Sequence, residues 1–295
     1  MPNLMEEARE TPLSENGPTG LISRTLGILE VLSTHGKGLS LSAVADSLGI
    51  PRSATHRVLS GLLANGYVRQ DAQGDYQLTA RIASLAFSFL ASSGIVDLAQ
   101  PVLDRLAADS QELARLALVD GQQLVWVAKA QGAPFGLRYD ADMGEITRLS
   151  CSASGHAWLA CLPDSEALAL VERQGFGMPE DYGENAPRDS ASLLTALNQT
   201  RARGYSLALQ SYRPWVNGIA VPVRQGVGGD VAGTVVVTGP SMRLTEARLT
   251  ELASTLLEAA HDLTLICAGI AHSTEWRNGG IKGITGDNPF AASKR

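Results

Sequence analysis

The chain has 295 residues, of which 44% are hydrophobic and 18% charged, with a formal net charge of −6. That length accommodates two domains and a sizeable core, and the balance is that of an ordinary globular protein, which excludes fibrous and low-complexity classes. A net negative chain is also a poor candidate for nucleic-acid binding unless its charge is unevenly distributed.

Residues 1–20 are rich in Pro, Gly, Ser and Glu, and residues 273–295 have the same character; both are expected to be disordered tails. The first block runs over residues 21–82. A helical stripe of Leu26, Ile28, Leu29 and Leu32 closes at Gly36. A second helix starts with Ser42 as its expected N-cap and ends at Gly49. A third opens with Pro51 and closes at Gly66, with Ala54, Val58, Leu59, Leu62 and Leu63 as its apolar side. "YVRQDAQGDYQLT" reads as two short strands around a turn. Three helices and a hairpin in this order predict a winged helix-turn-helix.

The third helix has a polar side of Arg52, Ser53, Thr55, His56 and Arg57. These are side chains that reach phosphates and base edges, with Arg suited to guanine and Ser or Thr to either base. The N-terminus of the second helix, at Ser42, would face phosphate, and Arg69 on the wing would reach an adjacent one. Residues 21–82 hold six Arg or Lys against four Asp or Glu, a net +2 that leaves −8 for the rest of the chain. Basic charge therefore sits where the helix pattern asks for it, and the expected partner is double-stranded DNA.

"ARIASLAFSFLASSG", residues 80–94, is apolar around much of its circumference and must be covered on more than one side. We read residues 83–96 as a linker helix that forms a dimer by burying Leu85, Phe89 and Leu90, which makes a palindromic operator the expected target. The second block, residues 97–272, alternates helices and strands. "LARLALV" and "LVWVAKA" flank a hairpin turn, "SASGHAWLACL" is a buried short helix, and "NGIAVPVR" and "VAGTVVVTG" flank a Gly-rich turn. A long closing helix is capped by Thr245. Late hairpins with helices on one face suggest an α+β antiparallel sheet.

No catalytic or metal-binding pattern emerges. "VGGDVAG" lacks the Lys-Ser/Thr of a phosphate loop, Ser154 and His156 have no nucleophile elbow or orienting acid, and the five histidines have no metal-ligand spacing. Cys151, Cys161 and Cys267 form no CxxC, which fits reduced thiols in the cytoplasm. "LTLICAGIA" from Leu263 is too short for a membrane span, and the N-terminus has no secretory pattern. No enzyme activity, metal, cofactor or membrane is expected. An enzyme or sensor that turns over its ligand, and a protein–protein adaptor built on a winged helix, are the competing readings.

The stretch "GLSLSAVADSLGIPRSATHRVLSGLLANGYVRQDAQGDYQLTAR" resembles the DNA-binding domain of the IclR family of bacterial transcriptional regulators. "SASGHAWLACLP", "RARGYSL", "NGIAVPV" and "TVVVTGPSMRLT" stand where that family has its effector-domain motifs. The resemblance covers residues 21 to about 269. It implies a homodimer or tetramer with a winged-helix reader and a C-terminal GAF-like α/β effector domain with an antiparallel sheet, whose small-molecule ligand shifts DNA affinity. Carried over by position, the pocket would be lined by Gly155 and Ala157 on the short helix, Val216 and Gly218 before "GIAVPV", and Val236 and Thr238 on the following strand. Members that bind small oxo-acids typically have Cys where Gly218 stands and Ser where Val236 stands. The pocket here is therefore expected to be roomier and less polar, with Tyr212 and Trp215 nearby and Arg213 available for a carboxylate. Thr238 and the amides at the start of the Ser154 helix would also bind that carboxylate. Trp215 reads equally as a pocket wall or as a loop aromatic packed on the core. The ligand implied is a small carboxylate with an apolar or aromatic body.

Overall fold

A computed structural model describes residues 20–134, 136–141, 143 and 146–273. The expected tails lie outside the described residues except at Gly20 and Ser273. The chain forms two compact units that divide between Phe89 and Leu90.

In the N-terminal unit, helices α1 (Leu21–Ser33), α2 (Leu41–Leu48) and α3 (Arg52–Ala64) precede a hairpin of β1 (Val68–Gln70) and β2 (Tyr76–Leu78). Ile28, Leu32, Val44, Leu48, Leu59 and Tyr76 meet in one core, each apolar side chain contributing about 1.5–3 kcal/mol by leaving water. The cap of α2 is Ser40, not Ser42. Ser40 is extended and its Oγ accepts from Ala43 N–H at 3.3 Å, so Ser42 falls inside the first turn. Gly49 ends α2 in the left-handed region (φ 62°), which turns the chain toward Pro51 and α3. Leu26 leaves the α1 stripe expected of it: with Leu21 and Ile22 it is exposed, while Gly27, Ile28 and Leu32 face the core. The hairpin turn is held by Asp71, whose Oδ1 accepts from the amides of Gln73 and Asp75.

Helix α4 (Ala80–Ser93) crosses the division between the units. Three of its apolar residues are exposed among the described residues: Leu85, Phe87 and Phe89 are 56%, 69% and 63% exposed.

The C-terminal unit is a five-stranded antiparallel sheet in the order β4-β3-β7-β6-β5. The strands are β3 (Leu113–Asp120), β4 (Gln123–Gln131), β5 (Ser206–Leu209), β6 (Val216–Arg224) and β7 (Val231–Pro240). Helices cover both faces rather than the one face expected. On one side, α5 (Ile95–Ser110) and α9 (Glu246–Ser273) bury Leu103, Leu106, Leu252 and Leu256 against Leu116, Ile219 and Val235. On the other, α6 (Ala153–Leu159), α7 (Asp164–Gln174) and α8 (Ser190–Arg203) bury Trp158, Leu170 and Leu193 against Ala117, Ala220 and Val236. The reason is visible in the strands. β3, β6 and β7 are near-continuous apolar runs buried residue after residue, the pattern of a sheet covered twice. No single helix among the described residues is long and apolar enough to cross a membrane.

Two buried polar groups brace this unit. Glu112, at the entry to β3, takes a two-pronged ion pair from Arg243 at 2.7 and 3.0 Å, and Arg243 also donates to the Leu137 carbonyl. His156 is buried in α6, with Nε2–H donating to the Ser150 carbonyl at 2.7 Å. Burial pushes its pKa below the ordinary 6.5, against a smaller upward pull from that bond. A base whose folded pKa is depressed leaves the unfolded chain binding more protons just below pH 6.5, so stability falls as pH falls through that value. Chemical denaturation at pH 7.5, 6.5 and 5.5 should show wild type losing up to about 1.4 kcal/mol per pH unit more than His156→Gln below pH 6.5. Equal slopes in both proteins would refute the neutral, buried state of this ring.

Candidate functional site

Two surfaces concentrate the polar chemistry, one on each unit. The first is the outward side of α3. Apolar residues at i, i+1 and i+4 fix its back: Val58, Leu59 and Leu62 are buried, which leaves Arg52, Ser53, His56 and Arg57 exposed together. Thr55 does not join them. It is fully buried and its hydroxyl donates to the Pro51 carbonyl at 3.2 Å, so it is three residues ahead of Val58 on the core side and is unable to reach a base. Ser42 is half-buried in the first turn of α2. Arg69 is exposed on the wing, and it is held: its Nε and Nη2 donate to Gln77 Oε1 at 3.2 and 2.9 Å, and Gln77 Nε2 donates in turn to the Lys37 carbonyl and to Asp71. A guanidinium fixed in this way loses less rotamer entropy when it meets a phosphate than a free one does.

The second surface is a small, tight cleft on the α6 face of the sheet. Its floor follows from the register. Arg115 on β3 stands opposite Val236 on β7, and Gly218 on β6 lies between Ala208 on β5 and Thr238 on β7. Small residues there, with Ala153 at the start of α6, leave space above the strands. Trp126, Tyr139 and Val216 form apolar walls.

Arg115 is the unforeseen feature. It is 5% exposed, lines the cleft, and its guanidinium lies 3.8 Å from the Trp126 ring centre. That stacking is a cation–π contact of the kind worth about 2 kcal/mol when desolvated. Its signal was a charged residue inside the otherwise apolar strand "LARLALV", since Arg is almost never fully buried without a specific role. Three hydroxyls on the cleft lining, those of Thr147, Ser154 and Thr238, are buried and make no hydrogen bond among the described residues. Such groups are costly to leave unsatisfied, and a bound ligand is one way to satisfy them.

Four of the six positions carried over from the resemblance line this cleft: Val216, Gly218, Val236 and Thr238. Gly155 and Ala157 do not. A side chain at Gly155 would collide with the Leu149 backbone, and Ala157 is packed in the core under α6. Trp215 is also outside the lining: it is 45% exposed and meets the Tyr139 ring edge-on at 5.6 Å. Arg213 lies over the Tyr212 ring and does not line the cleft. Gly218 does not enlarge the site, because a Cβ there would come within 2.8 Å of Thr238 Cγ2. The threonine methyl already fills that space. Nor are the α6 amides all open, since Gly155 N–H donates to the Ser152 hydroxyl at 3.0 Å.

Known protein families match both units. The profile of the IclR helix-turn-helix domain matches residues 21–72, and that of the bacterial transcriptional regulator IclR C-terminal domain matches residues 87–265. The HTH-type transcriptional regulator BhcR of Paracoccus denitrificans is 29% identical over 254 residues, covering 85% of this chain and 88% of its own length. The transcriptional repressor IclR of Escherichia coli is 26% identical over 257 residues, covering 86% and 92%. Among solved structures, an IclR family transcriptional regulator from Brucella abortus superposes with a TM-score of 0.66 at 26% identity, covering 83% of this chain and 92% of that one. An IclR homolog from Microbacterium hydrocarbonoxydans, complexed with 4-hydroxybenzoate, has the same fold, with a TM-score of 0.69 at 21% identity over 85% of this chain and all of that one. With the winged helix-turn-helix and the covered antiparallel sheet each matched in order, the chain belongs to the IclR family: it is a bacterial transcriptional regulator, not an enzyme.

Proposed function

We propose that this regulator binds a palindromic operator as a homodimer or tetramer in the cytoplasm, and that a small carboxylate held in the Arg115 cleft changes its affinity for DNA. The observation that carries the ligand half is a buried guanidinium stacked on Trp126 beside three buried hydroxyls that make no hydrogen bond among the described residues, all on the lining of one cleft. The carboxylate is read as pairing with Arg115, with Thr238 and Ser154 as hydroxyl donors and Val216 and Val236 against the apolar body. That another protein of this fold holds 4-hydroxybenzoate supports an acid with an aromatic body as a candidate class. Catabolic genes for such an acid are the proposed target.

For the DNA half, Arg52, Ser53, His56 and Arg57 are proposed as the reading face, with Arg69 on the wing and the first turn of α2 around Ser42 against phosphate. Dimer formation is proposed through the exposed apolar residues of the N-terminal unit and α4, namely Leu21, Ile22, Leu26, Leu85, Phe87 and Phe89. A monomer exposing that many large side chains would leave an unusual apolar area in water.

Three measurements test these parts. Fluorescence anisotropy on a duplex from the promoter next to its own gene should show Arg57→Ala weakening binding and lowering the salt slope by about one unit. Unchanged titrations on that duplex and on a random one would remove Arg57 from the interface. In sedimentation, Phe89→Asp should lower the assembly state, because an unpaired carboxylate in a dry interface costs more than the roughly 2–7 kcal/mol of a neutral polar group; an unchanged assembly would count α4 out. In thermal shift, benzoate or 4-hydroxybenzoate should stabilise the wild type and not Arg115→Met, provided the variant keeps its own melting transition. Equal stabilisation of both would remove Arg115 from the ligand site.

A further inference from the structure

The carboxamide of Gln77, on the wing, uses every hydrogen-bonding position it has. Gln77 on β2 stands directly opposite Arg69 on β1. Its Oε1 accepts from Arg69 Nε at 3.2 Å and from Arg69 Nη2 at 2.9 Å, which occupies both lone pairs. Its Nε2 donates to the Lys37 carbonyl at 2.9 Å and to Asp71 Oδ2 at 3.2 Å, which occupies both N–H groups. These partners fix which way the amide faces: turned over, it would set N–H against N–H at Arg69 and oxygen against oxygen at Lys37 and Asp71. The anchors are themselves held. Asp71 Oδ1 closes the wing turn through the amides of Gln73 and Asp75. Lys37 leads into Leu39, which exchanges two backbone hydrogen bonds with Tyr76, at 3.1 and 2.8 Å. Between them, Gly38 has φ 92°, and a Cβ there would come within 2.7 Å of Gln77 Cγ, so its missing side chain makes room for the stem of Gln77.

Ordering two long side chains at a surface costs rotamer entropy, and hydrogen bonds exposed to water return little of it. Wing stability is therefore a weak reason for this network, and the state of Arg69 is a better one. Arg69 is exposed, and its Nη1 makes no hydrogen bond among the described residues. A charged acceptor would orient the guanidinium and cancel it. A neutral amide orients it and leaves its charge for a phosphate. The carboxylate of Asp71 bonds to the amide and not to the guanidinium. We infer that Gln77 is a positioning residue for DNA binding: it holds the Arg69 guanidinium ready for the phosphate backbone and, being neutral, keeps that charge available. This rests on the proposed phosphate contact of Arg69 and adds to it the residue through which the wing presents it.

The test is a double-mutant cycle of Gln77→Met and Arg69→Ala in the full-length protein. Fluorescence anisotropy across a salt series is read on the duplex from the promoter next to its own gene and on a random duplex of the same length. Gln77→Met keeps the side-chain length and removes its hydrogen bonds. It should weaken binding about three- to tenfold on both duplexes with an unchanged salt slope, since the charge is still present and no longer held. Arg69→Ala should lower the slope by about one unit. Added to Arg69→Ala, Gln77→Met should change affinity by less than about 1.5-fold, because the two residues act as one unit. Gln77→Glu should lower the slope by about one unit on its own, because a carboxylate pairs the guanidinium and competes with phosphate. Gln77→Met binding like wild type overturns the inference. So does an equal loss from Gln77→Met with and without Arg69, which would make Gln77 a support of the wing as a whole and leave the Arg69 contact intact. A wild-type slope in Gln77→Glu overturns it too, and decides the matter if Gln77→Met loses its melting transition. If Arg69→Ala changes neither affinity nor slope, the phosphate contact of Arg69 falls and this inference falls with it.

Discussion

The sheet of the C-terminal unit is buried on both faces, and that constraint determines where its polar side chains can stand. β3, β6 and β7 run between two helical layers, so a charge or hydroxyl on them has no water to turn to. Side chains alternate faces along each strand. Leu116, Ile219, Val235 and Val237 therefore go to the α5–α9 side, while Arg115, Gly218, Val236 and Thr238 go to the α6 side. The α5–α9 side is packed solid with aliphatic residues. On the α6 side the packing stops short at the cleft, and Arg115, Asn217 and Thr238 of the sheet lie on its lining. The cleft is thus a consequence of strand register and residue size: Ala208 and Ala153 are too small to fill the space beneath the walls of Trp126 and Tyr139.

The same reasoning separates what was legible in the sequence from what was not. The winged helix-turn-helix was legible because each of its elements carries its own punctuation: Gly49 and Pro51 around the turn, and Asp71 and Gly74 in the hairpin. The hairpins of the second unit were legible for the same reason. The second helical layer was not. An apolar run such as "VAGTVVVTG" says that a strand is buried, and nothing local says whether one layer or two bury it. Helix α5 was hidden by Pro101 inside it, which breaks the periodic pattern without breaking the helix.

Residue-level errors were of a different kind. Thr55 looks like a polar surface residue by type, yet it sits under α3 with its hydroxyl returned to the Pro51 carbonyl, a bond that lets threonine pass for an apolar residue. The α2 cap fell two residues early because Ser40 and Ser42 are alike in sequence and differ only in backbone conformation. At Gly218 the absence of a side chain suggests space, but space belongs to the neighbourhood, and the Thr238 methyl fills it. Arg115 was overlooked although it carried the strongest local anomaly in the second unit, a guanidinium in the middle of a strand that is otherwise apolar.

Charge distribution gives the two surfaces opposite physical settings. The basic excess of residues 21–82 is small, +2, but its exposed members Arg52, Arg57 and Arg69 lie on the helix and wing that a duplex would meet, where each neutralised phosphate releases counterions. The rest of the chain carries −8, so an anion approaching the C-terminal unit meets a field of its own sign. At physiological ionic strength that field decays over about 8 Å, and a cleft that recruits an anion must do so with charges inside that distance. Arg115 and Arg148 are both on the cleft lining. An anion held there would owe its binding to local charge and to fit against the aromatic wall, and not to the net charge of the unit.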